Sequence, residues 1–278
     1  MMTRQNTRVA AFAEQVGKRY LPARPASFWA CEPLFRQLLD PQFAESVINY
    51  GLRAMVDDPR QTGNGGGQTM LLAQTPTWHL ALHLLVRPRR YLHSNAGHAL
   101  VAPLRGRTLT ADLYELPAGF RNAVFDPGCK LERIGSQTVP AGDLLALRAD
   151  GVIHDYRIDA PLLLLIFETA PLAVLEWQFS RETLHAWQFV AADRQVSDLK
   201  AAAWLAGRLA HQTSLKPLKA LTRHKDPGVR WAALQSIGRL SRSEVRKLLA
   251  KALDDPHPLV RRAARQALDR GDPPLQGG

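Results

Sequence analysis

Apolar residues in this chain follow three spacings in succession. Val9, Phe12, Val16 and Tyr20 fall three and four apart, the spacing of one helical face, and predict an amphipathic helix over residues 4–20. Residues 31–56 read as one or two further helices, broken near Asp40-Pro41, because proline removes an amide donor and crowds the preceding turn. From about 70 to 190 the spacing shortens to two. Trp78, Leu80, Leu82 and Leu84 alternate with His79, Ala81 and His83, and Leu109, Ala111 and Leu113 repeat the pattern. Apolar runs at 144–147, 162–167 and 174–179 follow, each bounded by Gly, Pro or Asp. Many short strands separated by turn residues predict an antiparallel barrel or sandwich. Beyond Val196 every segment is helical again, with starts at Ser197-Asp198, Ser214, Pro227, Ser243 and Pro256.

The helical tail repeats itself. Asp226-Pro227 followed by Val229-Arg-Trp-Ala-Ala-Leu matches Asp255-Pro256 followed by Val260-Arg-Arg-Ala-Ala-Arg, about 31 residues on. A period of this length belongs to helical hairpins, whose paired alanines let neighbouring helices approach. The segment resembles HEAT repeats over about 65 residues. With about two units present, it is expected to pack on the barrel. The organisation expected is an N-terminal helical segment over 1–60 packing on a barrel over 70–190, and a helical repeat domain over 196–272.

Composition adds a charge asymmetry. Residues 196–278 carry 16 Lys and Arg against 7 Asp and Glu, whereas the preceding 195 residues carry 20 against 18. Arg230, Arg246, Arg261, Arg262 and Arg265 recur near helical spacing and outline a basic ridge. Such a ridge can track phosphates, but no aromatic residues interleave with it for base stacking. A protein partner is therefore expected in preference to nucleic acid. The two cysteines, Cys31 and Cys129, are too few for a disulfide framework. The N-terminus lacks an apolar signal segment, and the longest apolar run, Pro161 to Phe167, is too short to span a bilayer. A soluble cytoplasmic protein is expected. The glycine-rich segment Gln61 to Gln68 lacks the lysine of a phosphate cradle and reads as a flexible loop.

The candidate chemistry sits in two short segments. Tyr91-Leu-His-Ser-Asn-Ala-Gly-His98 is followed by Gly106, and Gly142 is followed by Gly151-Val-Ile-His154. Imidazoles from separate strands can converge on one cation. These segments resemble the two motifs of the cupin family, with His93, Asn95 and Gly106 in the first and Gly142, Gly151 and His154 in the second. Within the cupins, Leu113-Tyr-Glu-Leu-Pro117 and Pro161 to Pro171 bring the chain closer to the cysteine dioxygenase branch. The resemblance spans about 100 residues. It implies an all-β cupin-like barrel carrying N-terminal helices, joined here to an all-α domain of HEAT-like repeats.

It also implies a mononuclear non-haem Fe(II) site, or one for another divalent metal. A small polar substrate, such as a thiol or amino-acid-like molecule, would meet dioxygen there. Two departures stand out. Asn95 occupies the position of the family's second histidine, and Ala99 and Leu100 lie where its glutamate would fall. A bend at Ala96-Gly97 would let His98 supply the missing imidazole, so the metal set expected is His93, His98 and His154. Asn95 and Tyr156 would orient substrate or oxygen. The other reading of the same departures is a metal-free barrel that senses a ligand or serves as a scaffold, with the helical repeats as its partner surface. His79 and His83 share one strand face, which is either solvated or turned into the barrel. Arg89, Arg90 and Arg105 are candidates to anchor a carboxylate, and Tyr91 and Tyr114 to offer a hydroxyl.

Overall fold

The computed structural model describes residues 7–57 and 67–269, and the chain divides into two compact units, 1–192 and 193–278. Most of the glycine-rich segment, residues 61–66, lies outside the described residues.

The first unit opens with α1 (Thr7–Arg19), which buries Val9, Phe12 and Val16, the face its spacing marks. A 3-10 stretch (Pro25–Cys31), α2 (Glu32–Arg36) and α3 (Pro41–Asp57) follow. The break expected at Asp40-Pro41 is the start of α3, where the Asp40 carboxylate accepts the Gln42 amide at 2.7 Å. The strands are β1 (Thr69–Gln74), β2 (Trp78–Leu85), β3 (Leu92–His93), β4 (Ala99–Pro103), β5 (Leu109–Glu115) and β6 (Glu132–Val139). They continue as β7 (Leu145–Leu147), β8 (Ile153–Arg157), β9 (Leu162–Thr169), β10 (Leu175–Phe179) and β11 (Ala186–Ala191).

All strand pairs are antiparallel, but the ladders do not close into one barrel. They form three sheets, ordered β1-β2-β9-β4-β7, β11-β10-β3 and β6-β5-β8. The barrel expected from the alternation is thus a set of separate sheets. β3 and β7 are only two and three residues long, too short to carry hydrogen bonds from one sheet into the next.

The five-stranded sheet is covered on both faces. Trp78, Leu80, Leu82, Leu100, Ala102, Leu165 and Phe167 meet the N-terminal helices in one core. Residues one position out of step, Leu85, Ala99, Val101, Leu162 and Leu164, meet Leu109, Val139, Leu145 and Leu147 in another. Strand period two explains the division. Phe167 is the centre of the first core. Its ring lies 4.7 Å from Phe28, 5.1 Å from Phe12 and 5.6 Å from Trp78, centroid to centroid.

The second unit is helical: α4 (Arg194–Leu209), a 3-10 turn (Gln212–Ser214), α5 (Leu215–Leu221), α6 (Pro227–Leu240), α7 (Arg242–Ala252) and α8 (Pro258–Asp269). Two starts use the same device: Asp193 and Asp226 accept the backbone amides of Gln195 and Val229 at 2.8 and 2.9 Å. α8 begins at Pro258, two residues past the Pro256 expected, and Asp255 accepts the His257 amide at 2.8 Å just ahead of it. The first of these starts lies four residues before the Ser197 expected, and α7 is capped by Ser241, not Ser243. α4 and α6 pack closely because Gly207 faces Ser236; a Cβ on residue 207 would stand 2.9 Å from the Ser236 Cα. Arg230 departs from the expected ridge. It is 8% exposed and holds the Asp255 carboxylate through two hydrogen bonds, at 2.6 and 2.8 Å.

Replacing Phe167 by alanine should leave a void among four aromatic rings. We expect Phe167→Ala to lower the unfolding free energy of the first unit by about 3–5 kcal/mol, read by denaturant titration of the full chain. A loss below about 1 kcal/mol would show that the cluster is not the core of that unit.

Candidate ligand cavity

A cavity of about 260 Å³ opens between the three sheets of the first unit. Its apolar wall is Leu85, Ala99, Val101, Leu147, Leu164 and Ile166, and its polar wall includes His83, Arg89, Tyr91, His93, Asn95, His154, Tyr156, Glu168 and Glu176. The polar groups enter at the ends of strands whose middles are apolar. On β9 the inward positions read Leu162, Leu164, Ile166, Glu168, so one carboxyl closes a greasy row.

Each cavity histidine has Nδ1 engaged. His93 Nδ1 meets the Glu176 carboxylate, His154 Nδ1 lies 2.9 Å from the Val152 carbonyl, and His83 Nδ1 lies 2.8 Å from the Thr69 hydroxyl. The partners fix ring orientation and leave Nε2 as the second nitrogen. Burial pulls the pKa of His154 below its ordinary value, and burial together with the nearby Arg89 does the same for His83. Both are therefore neutral at pH 7.

Asn95 and His98 are not where a metal triad needs them. The Asn95 amide donates to the carbonyls of Arg148 at 3.1 Å and Val152 at 2.9 Å, tying the β3–β4 loop to the β7–β8 turn. His98 shares strand parity with Leu100, and its ring rests 4.9 Å from Trp29 and 6.0 Å from Phe28, on the helix-covered side of the sheet. Its Nδ1 accepts the Ala149 amide at 3.0 Å. Gly97 does not bend His98 inward. It presses the chain against Thr169, whose Oγ1 would lie 2.7 Å from a Cβ on residue 97. The imidazoles of His93 and His154 share the cavity and His98 does not join them. Among the described residues, no group of three His, Cys, Asp or Glu side chains is disposed to hold a metal ion. The donors present therefore do not fit a three-histidine Fe(II) site.

Tyr156 lines the cavity; burial pushes its hydroxyl up to about 12 against the opposing pull of Arg89. Arg89 and Tyr91 also line it, whereas Arg90, Arg105 and Tyr114 do not. Arg105 instead occupies a turn at φ 60°. Cys31 and Cys129 are buried thiols, pushed up by desolvation, and offer no nucleophile.

Glu168 is the group the sequence motifs did not single out. Burial pushes its carboxyl up to about 7. His79 Nε2 lies 3.7 Å from Glu168 Oε2, and burial lowers the His79 pKa, so near pH 7 the imidazole is neutral beside a carboxyl close to half-protonation. The signal was present in the alternation of β9, where a carboxylate interrupts an apolar face. The same alternation on β2 puts His83 inside. His83 is half-buried on the cavity wall, so its face turns inward although the neighbouring Leu84 is exposed.

The HEAT repeats family matches residues 188–269. No curated protein matches the chain. Solved structures with local likeness include a hydroquinone 1,2-dioxygenase bound to Cd2+ and 4-hydroxybenzonitrile, 12% identical, covering 40% of this chain and 69% of that one with a TM-score of 0.30. A second hydroquinone 1,2-dioxygenase, from Sphingomonas sp. TTNP3, is 12% identical over 41% of this chain and 70% of its own, with a TM-score of 0.30. A cupin family protein with a double-stranded β-helix fold, from Methanocaldococcus jannaschii, is 12% identical over 40% of this chain and 87% of its own, with a TM-score of 0.26.

Glu168 makes a testable contribution to stability. Its folded pKa, about 7, lies above the ordinary 4.5, so the folded protein keeps a proton that the unfolded chain releases. Stability is then fully present below about pH 4.5 and declines as pH rises through about 7. Glu168→Gln should remove this decline. The difference in unfolding free energy between variant and wild type should grow by ~1–2 kcal/mol from pH 4.5 to 8, a figure reduced because solvent reaches part of the carboxyl. A pH-independent difference would show that Glu168 is hydrated as on a surface.

Proposed function

We propose that the first unit is a receptor for a small polar molecule, bound in a cupin-like arrangement of strands without a resident metal, and that the helical repeats form its partner surface. The observation that carries this reading is the fate of the motif residues. Asn95 is spent on two backbone carbonyls and His98 lies behind the sheet, leaving His93 and His154 in a cavity walled by hydrogen-bonding groups. The volume is at the small end of the range for ligand sites. With His83 and His154 neutral, Glu168 near half-protonation and the Tyr156 hydroxyl un-ionised, the lining offers mostly neutral donors and acceptors beside Arg89 and the carboxylates of Glu176 and Asp155, which are engaged by His93 and Arg181. Such a lining suits a polyhydroxy or amino-acid-sized ligand better than a highly charged one.

A second reading has its own observation. The Nδ1 atoms of His93 and His154 are held by a carboxylate and a carbonyl, the orientation that prepares Nε2 to bind a metal. An iron oxygenase of the thiol dioxygenase kind would use these two imidazoles.

Metal content of anaerobically purified wild type and His154→Ala, before and after adding ferrous iron, decides between the two. We expect well under one-tenth equivalent of iron in both proteins and no oxygen consumption with cysteine or cysteamine. Near-stoichiometric iron that disappears in His154→Ala would overturn the receptor reading. In parallel, a thermal-shift panel of polyols, amino acids and small carboxylates should raise the wild-type melting temperature with at least one compound. Tyr156→Phe and Glu168→Gln should weaken that binding about tenfold or more.

A further inference from the structure

Arg230 and Arg261 occupy the same position in successive repeats and are built the same way. Arg230 Nη1 donates to the carbonyls six and five residues before it, His224 and Lys225, at 2.8 and 2.9 Å. Arg261 Nη1 donates to the carbonyls six and five residues before it, Asp255 and Pro256, at 2.7 and 3.0 Å. The same atom grips the same two loop carbonyls, so the guanidinium is locked at the same angle in both repeats. In Arg230 the remaining edge, Nε and Nη2, takes the Asp255 carboxylate with two bonds. In Arg261 that edge has no partner among the described residues, and Arg261 remains partly exposed.

We propose that the Nε–Nη2 edge of Arg261 is a carboxylate receptor that docks an acidic segment of a partner protein on the α8 end of the helical repeats. This deepens the reading of the repeats as a partner surface and rests on it. Three features support an acidic occupant. The clamp already pays part of the entropic cost of a two-pronged contact, since the guanidinium is positioned before any ligand arrives. Its copy in the preceding repeat shows which chemistry that edge selects. The surrounding residues also differ from that repeat in the direction of charge. Where α6 carries Trp231 and Leu234, the matching positions of α8 are Arg262 and Arg265, both exposed. The α8 end is thus unsuited to stacking another apolar hairpin and suited to acidic side chains. A planar fork matched to a carboxylate also distinguishes this site from a merely basic surface.

The test uses the full chain and a fluorescent peptide with the sequence of residues 253–259, Leu-Asp-Asp-Pro-His-Pro-Leu, the segment whose second aspartate Arg230 holds. We expect the peptide to bind wild type, and binding to weaken about tenfold or more when that aspartate is replaced by asparagine. Arg261→Lys keeps the charge but not the fork, and should bind both peptides equally weakly. Should Arg261→Lys lower the thermal stability of the repeats, the double variant Arg262→Gln/Arg265→Gln serves instead. It should bind more weakly yet still prefer aspartate over asparagine.

Peptide binding unchanged in Arg261→Lys would overturn the assignment while leaving the wider partner surface intact. Absence of binding in every protein would overturn the acidic occupant. Binding that appears only after residues 270–278 are removed would assign the site to the chain's own tail. A short DNA duplex that displaces the peptide, and binds Arg261→Lys as well as wild type, would replace the acidic protein by nucleic acid.

Discussion

The five-stranded sheet of the first unit is buried on both faces, and most of the site geometry follows from that. A sheet with one wet face can tolerate histidines and carboxylates wherever the alternation puts them. Here β9 has Leu165 and Phe167 packed beneath helices and Leu164 and Ile166 facing the cavity, so water reaches the titratable positions only in part. Any titratable residue on these strands is pushed toward its neutral form. Glu168, His79 and His83 all show that displacement, each with burial as its first cause. The cavity is polar in its atoms and nearly neutral in its charges, a combination that a closed, hydrogen-bonded barrel is not needed to produce.

Helices, strands and the repeat could be read from the chain because each has its own period. Val9, Phe12 and Val16 mark the buried face of α1, and Asp226-Pro227 marks the start of α6, whereas α8 begins two residues beyond its own Asp-Pro pair. Sheet closure could not be read. It depends on how long a few short strands stay paired, and β3 and β7 carry no distinguishing composition. The side of the sheet taken by His98 could not be read for a related reason. Motif spacing places it near His93 along the chain, but parity relative to Leu100 decides the side of the sheet, and Gly97 has a packing use against Thr169 that no spacing reveals. Arg230 looked like its exposed neighbours in the sequence. Only the approach of Asp255 from the next repeat makes it an interior residue.

In the second unit the stabilising logic is different. Small side chains set helix separation, as at Gly207 and Ser236, and aspartates cap α4 and α6. Arg230 and Asp255 are each only 9% exposed at the side chain, and a pair so placed is costly to desolvate. The cost is offset by four hydrogen bonds: Arg230 serves two carbonyls of its own loop and both oxygens of the next aspartate. Two loops and two repeats are held in register by one side chain, so specificity of stacking accompanies stability.

The two hydrogen bonds of Asn95 bear on how this scaffold can change over evolutionary time. A neutral imidazole carries one N–H, whereas the asparagine amide offers two, and both are in use on the carbonyls of Arg148 and Val152. Histidine at this position could keep only one of the two braces, although the Arg148 carbonyl would retain the Gly151 amide and the Val152 carbonyl the His154 Nδ1. Residue 95 thus joins the loop that carries His93 to the turn that precedes His154, so a substitution there acts on the spacing of the two cavity imidazoles as well as on its own contacts.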